Sequence, residues 1–146
     1  MSILSFVKEA GEKLIDLLTP GNAHAGEQLK DHIAKVGLGN PNVQATVDGD
    51  KVTVTGQVAS QEEKEKVLLA LGNIAGVGSV DDQIAVSGPV LKAARFVVVK
   101  KGDTLSAISL AVYGSANQYN KIFEANKPLL SHPDKIYPGQ TLRIPD

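Results

Sequence analysis

The apolar positions near the start of this chain repeat with a helical period. Ile3, Phe6, Val7, Ala10, Leu14, Leu17 and Leu18 fall on one face, with Lys8, Glu9, Glu12, Lys13 and Asp16 opposite. Thr19-Pro20-Gly21 is a stop signal, and Gly11 is placed to divide the segment into two short helices. Both charge signs share the polar face and no basic cluster occurs, so docking on the protein's own core is expected rather than a membrane surface. A second helix is expected near Gly26 to Val36, with Leu29, Ile33 and Val36 inward and Gly37 as a left-handed cap. Val43, Ala45 and Val47 then alternate, Asp48-Gly49-Asp50 turns, and Val52, Val54 and Val58 continue the period of two, which reads as a β-hairpin. Ser60-Gln61-Glu62-Glu63 is a capping box. It opens a helix through Val67, Leu68 and Leu71 that ends at Gly72, and a strand follows with Val80, Ile84 and Val86. Residues 26–87 therefore read α-β-β-α-β.

Gly88-Pro89 punctuates a short connector, and the pattern restarts. Phe96 to Val99 reads as a strand and Lys101-Gly102-Asp103 as a turn. Asp103 or Thr104 caps a helix bearing Leu105, Ile108 and Val112. Tyr113-Gly114 ends that helix, Ser115-Ala116-Asn117-Gln118 is a second capping box, and Tyr119, Ile122 and Phe123 line another helix. Tyr137-Pro138-Gly139-Gln140 turns into a strand from Thr141 to Ile144. This half reads β-α-α-β. The expected fold class is α+β in two small domains: an N-terminal helix over 1–25 packed on a domain at 26–88, a linker at 89–94, and a second domain at 95–146.

Composition narrows the functional classes. A length of 146 residues suits one ordinary domain or two very small ones. The absence of cysteine excludes disulfides and thiolate metal sites. The net charge of −1 hides an asymmetry, about −4 over residues 1–94 and about +3 over 95–146. Neither half is basic enough, and aromatics are too few, to point to nucleic acid. The charges within the first twenty residues leave no apolar core for a secretory signal. No stretch approaches the length needed to cross a bilayer. A soluble, cytoplasmic chain is expected, monomeric by default. His24, His32 and His132 have no spacing suited to zinc or to nucleophile activation. Asp48 and Asp50 begin like a calcium loop, but Val52 and Ala59 stand where oxygen donors are needed. Asp81-Asp82 reads as the solvated end of a strand. No enzyme is expected.

Two stretches resemble known modules. KVTVTGQV at 51–58, the helix with Ala70, and IAGVGSVDDQIAV at 74–86 resemble a BON domain, with Gly56, Gly76, Val77 and Val80 at its marked positions. Phe96 to Pro145, with GDTLSAI and IYPGQTLRIP, resembles a LysM module throughout. LysM modules hold N-acetylglucosamine-containing glycans in a shallow groove. The resemblance places its walls at Gly102, Asp103, Thr104 and Leu105, and at Asn126, Lys127, Pro128, Ile136 and Tyr137. An inserted Leu129-Leu130-Ser131-His132-Pro133 is expected to block or reshape that groove.

BON followed by LysM, without an export signal, resembles a family of cytoplasmic potassium-binding proteins of Gram-negative bacteria. The resemblance implies a K⁺ sensor or buffer whose domain arrangement responds to the ion, the downstream partner being left open. K⁺ is best held by neutral carbonyl oxygens, whereas clustered carboxylates favour Ca²⁺ or Mg²⁺. Carbonyls without backbone partners gather at helix C-termini, where the dipole is negative. Two such places are expected, Val7 to Ala10 and the glycine-punctuated bend Gly72 to Val77. The expected site comprises the main-chain oxygens of Val7, Ala10, Gly72, Ile74 and Val77. The alternatives are a peptidoglycan-binding LysM protein and a phospholipid-associated BON module.

Overall fold

In the computed structural model, which describes residues 2–8, 11, 24–39, 41–89 and 94–145, the alternating run folds as a hairpin of β2 (Val43–Asp48) and β3 (Lys51–Val58). Gly49 turns it at φ 62°, a conformation glycine adopts without steric cost. β3 pairs in parallel with β4 (Ser79–Val86), from Lys51↔Ser79 to Val58↔Val86. Parallel neighbours need a crossover, supplied by helix α2 (Gln61–Gly72). The capping box sets its start: Ser60 Oγ accepts from the Glu63 N–H at 3.1 Å, and the Glu63 carboxylate accepts from the Ala59 N–H at 3.4 Å. Helix α1 (Ala25–Ile33) leads into a wider turn, Ala34–Leu38, in which Gly37 takes φ 96°. Both helices pack on the sheet, burying Leu29, Ile33, Val52, Val54, Leu71, Ile74 and Val80 in one core. Each such side chain contributes about 1.5–3 kcal/mol relative to exposure.

The start of the chain overturns the expected helix. Ser2–Ser5 is a strand, β1, antiparallel to β4, with Ile3 opposite Asp81 and Leu4 opposite Val80. The sheet order is β1-β4-β3-β2. Leu4 and Phe6 pack on the core, while Ile3, assigned to the inward face by the helical period, is 60% exposed. An open strand edge offers a row of backbone groups that need partners. Pairing with it outweighs a helical pattern whose first turn is costly to nucleate. Residues 9, 10 and 12–23 of the expected helical segment lie outside the described residues.

In the second half, β5 (Arg95–Val98) pairs antiparallel with β6 (Thr141–Ile144). Helix α3 (Leu105–Tyr113), a 3₁₀ turn at Ala116–Gln118 and helix α4 (Tyr119–Ala125) lie between them. Thr104 is the cap, its Oγ1 accepting from the Ala107 N–H at 3.0 Å. Asp103 closes the preceding turn by accepting from the Lys100 N–H at 2.9 Å. Val99, Leu105, Ile108, Ile122, Leu130, Leu142 and Ile144 form a second core. The fold is α+β, with element orders α-β-β-α-β and β-α-α-β as the patterns predict. Among the described residues no helix is long and apolar enough to cross a membrane.

Candidate cation site and domain junction

The bend after α2 is made by local turns. Asn73 ends the helix with its N–H on the Leu69 carbonyl at 2.9 Å, Val77 donates to Ile74 O at 3.1 Å, and Gly76 takes φ 95°. The N-terminal segment runs against this bend. Gly76 N–H donates to Lys8 O at 2.6 Å and Phe6 N–H to Gly78 O at 2.9 Å. A Cβ placed on Gly72 would lie 2.1 Å from the Phe6 ring, and one on Gly11, at φ 104°, would lie 2.2 Å from the Asn73 carbonyl oxygen. Only glycine permits that backbone approach. Lys8 also reaches Asp50 at 3.1 Å, and the Asp50 carbonyl accepts from Gly78 N–H at 2.8 Å. The hydrogen bond and charge of Lys8 hold the Asp50 carboxyl below its ordinary range.

Of the expected carbonyl donors, Val7, Gly72, Ile74 and Val77 therefore lie on two adjoining segments; Ala10 lies outside the described residues. Gly72, Ile74 and Val77 are buried. Among the described residues no three His, Cys, Asp or Glu side chains converge. Among the described residues this place offers main-chain carbonyls, an Asn73 side-chain oxygen already bonded to Thr141 N–H and an Asp50 carboxylate already paired with Lys8.

α2 also faces the second domain. Glu65 is 2% exposed and accepts from four donors: Arg143 Nε at 3.1 Å, Arg143 Nη2 at 2.8 Å, Gln61 Nε2 at 3.1 Å and the Ala94 N–H at 2.9 Å. Arg143, on β6, is 7% exposed and gives Nη1 to the Ala125 carbonyl at 2.9 Å. Two turns along α2, the Asn73 side chain pairs with the backbone of Thr141: Nδ2 donates to its carbonyl and Oδ1 accepts from its N–H, both at 2.9 Å. The two domains are thus fastened at alternate residues of one strand. Leu129 of the inserted loop packs on the first core while Leu130 enters the second. Pro128 lies against Gly37, where an added Cβ would come within 2.9 Å of it.

The expected glycan-groove residues divide between two places. Thr104 and Leu105, just past the Gly102-Asp103 turn, line an open depression of about 390 Å³ with Tyr119, His132, Pro133 and Asp134. Asn126 is 1% exposed and holds β6, accepting from Arg143 N–H at 2.9 Å and donating to Arg143 O at 2.9 Å. Lys127 pairs with Glu124 at 2.9 Å, Ile136 packs on the second core, and Pro128 and Tyr137 belong to the domain junction. The inserted loop therefore supplies one wall of the depression.

Residues 22–88 match the BON domain and residues 97–145 the LysM domain. The chain is 54% identical over 150 residues to the potassium binding protein Kbp of Escherichia coli O6:H1 strain CFT073, covering 100% of this chain and 99% of that protein. The chain belongs to the Kbp family. It is also 32% identical over 118 residues to an uncharacterized protein of Deinococcus radiodurans strain R1, covering 74% of this chain and 46% of that one.

Glu65, Asn73 and Arg143 were not apparent as site residues in the sequence. Glu65 sits in QEEKEK and reads as part of a solvated helix face, yet it precedes Leu68 and Leu69 by three and four positions, on the buried side. Arg143 lies in a strand buried at all four positions. A charge in such a strand is the signal that a partner is required.

Proposed function

We propose that this chain binds K⁺ through main-chain carbonyls of Val7, Ala10, Gly72, Ile74 and Val77, and that the ion favours the docked arrangement of the BON and LysM domains. The observation that carries this reading is the approach of two glycine-bearing segments, closed by Gly76 N–H on Lys8 O at 2.6 Å. The identity of the ion rests on the relative named a potassium binding protein. The C-terminal end of α2 contributes negative potential to the bend. A site of neutral oxygens suits a large monovalent cation better than a divalent one. Asn73 begins the bend and is bonded to Thr141, so ordering the bend around an ion also fixes β6. By reciprocity, docking of the LysM domain then tightens the ion. On this reading the protein is a cytoplasmic K⁺ sensor or buffer, monomeric and without catalytic activity.

The test is thermal unfolding in KCl and NaCl at matched ionic strength, starting from ion-free protein. At a hundred times Kd, K⁺ stabilises by about 2.7 kcal/mol, a rise of roughly 5–11 °C for a chain of this size. Identical curves with K⁺ at tens of millimolar would overturn the proposal. Glycan binding is a second reading, carried by the depression at Thr104 and Leu105; retention on purified peptidoglycan tests it.

A further inference from the structure

Between the domains lies a cavity of about 320 Å³ whose walls come from both. Val36, beyond α1, and Leu129 of the inserted loop form apolar walls, and His32, Asn73, Tyr137 and Gln140 bring polar groups to it. Lys135 also lines it, is exposed, and makes no ion pair among the described residues. No Asp or Glu of the described residues lines the cavity. A concavity that sets apolar walls beside a few convergent polar groups has the form of a small-molecule site. A cation at such a lining, with no carboxylate among the described residues that line it, favours negative charge.

We propose that the domain junction is a second ligand site, for a small organic anion of the carboxylic acid class with an apolar body. The volume is at the small end for such sites, which suits a single ring or a short branched chain. The body packs between Val36 and Leu129 while the carboxylate meets Lys135. Because the walls belong to both domains, the site is complete only when they are docked. Asn73 lines this cavity and begins the cation bend, so occupancy of one site raises affinity at the other; this linkage rests on the proposed K⁺ binding.

Benzoate is a suitable probe, with benzyl alcohol as its uncharged counterpart. Amide shifts of the full chain should move for Asn73, Leu129, Tyr137 and Gln140 with benzoate at about 10 mM, a concentration that reveals millimolar binding. Lys135→Gln changes an exposed side chain outside both cores. It should weaken benzoate roughly two- to fivefold, within the range for an ion pair at an exposed rim, and leave benzyl alcohol unchanged. Shifts scattered over the surface, or none, overturn the site. Equal binding of the two probes, or a Lys135→Gln chain that binds benzoate as before, overturns the anion preference. Benzoate should also bind more tightly in K⁺ than in Na⁺, and the K⁺ affinity should rise by the same factor. Equal benzoate affinities in the two salts, in a protein that K⁺ stabilises, overturn the linkage. Absence of any K⁺ stabilisation defeats the cation reading instead, and the benzoate map still decides the junction site.

Discussion

Glu65→Gln separates a structural account of the domain junction from a merely descriptive one. Glutamine keeps the shape of Glu65 but removes its charge and replaces one acceptor oxygen with a donor. If the new amide NH₂ takes the Oε2 position, the Ala94 N–H and the Gln61 amide, now at 2.9 and 3.1 Å, lose their acceptor. In the other orientation it faces the Arg143 guanidinium, at 2.8 and 3.1 Å from Oε1. Either way the Arg143 charge is left buried without a counter-charge, a change that typically costs 3–5 kcal/mol, roughly. The chain has a less costly response: the LysM domain undocks, Arg143 reaches water, and the loss is limited to the free energy of docking. Each domain keeps its own core. The expected result is a larger radius of gyration by small-angle X-ray scattering, with the dispersed amide spectrum of both domains retained. Because buried ion pairs are often replaceable by apolar side chains at little or no cost, Glu65→Leu with Arg143→Met should restore docking. A Glu65→Gln chain that stays docked, with a stability loss below about 1 kcal/mol, would refute the reasoning.

Asn73→Ala leaves the Thr141 N–H and carbonyl without their partner, at a cost of about 1–3 kcal/mol by denaturant unfolding; an unchanged midpoint and scattering profile would show that the amide pair contributes nothing to docking. Gly11→Ala forces a Cβ into a left-handed backbone at φ 104° and against Asn73 O, about 1–2 kcal/mol of conformational strain before the clash. It should abolish the rise in melting temperature on replacing Na⁺ by K⁺; a variant that keeps that rise contradicts the proposed carbonyl site. The Asp50 carboxyl is held low by Lys8, so the stabilisation it gives is complete above the ordinary carboxylate value and is lost as pH falls through the lowered one. Wild type should therefore melt above Asp50→Asn near neutral pH, and the gap should close below about pH 4. A gap independent of pH would assign the difference to something other than this ion pair.

Much of the fold was legible because it rests on near neighbours. The capping box at Ser60 and Glu63, the turn at Gly49 and the cap at Thr104 are contacts within four residues along the chain. The alternation Val52, Val54, Val58 marks the buried face of β3 for the same reason. The candidate site was legible in part: the bend Gly72–Val77 follows from its glycines, and the structure sets it against the N-terminal segment. The nature of that segment was not legible from its pattern. Ile3, Phe6 and Val7 fit a helical period, but Leu4 turns inward from a strand that exists only because β4 has an open edge, and Phe6 follows it onto the core just past the strand's end.

Local pattern by itself determined the α+β class, the two modules and their order, since periodicity and capping act over a few residues. The tertiary structure alone decided the strand at Ser2–Ser5, the contact of Gly11 with Asn73 and the bonding of Glu65 and Asn73 to β6. Those contacts join residues up to 78 positions apart. Nothing in a helix face of mixed charge distinguishes a glutamate bound for water from one bound for a buried arginine; the distinction arises only when a second domain covers it and removes the solvent.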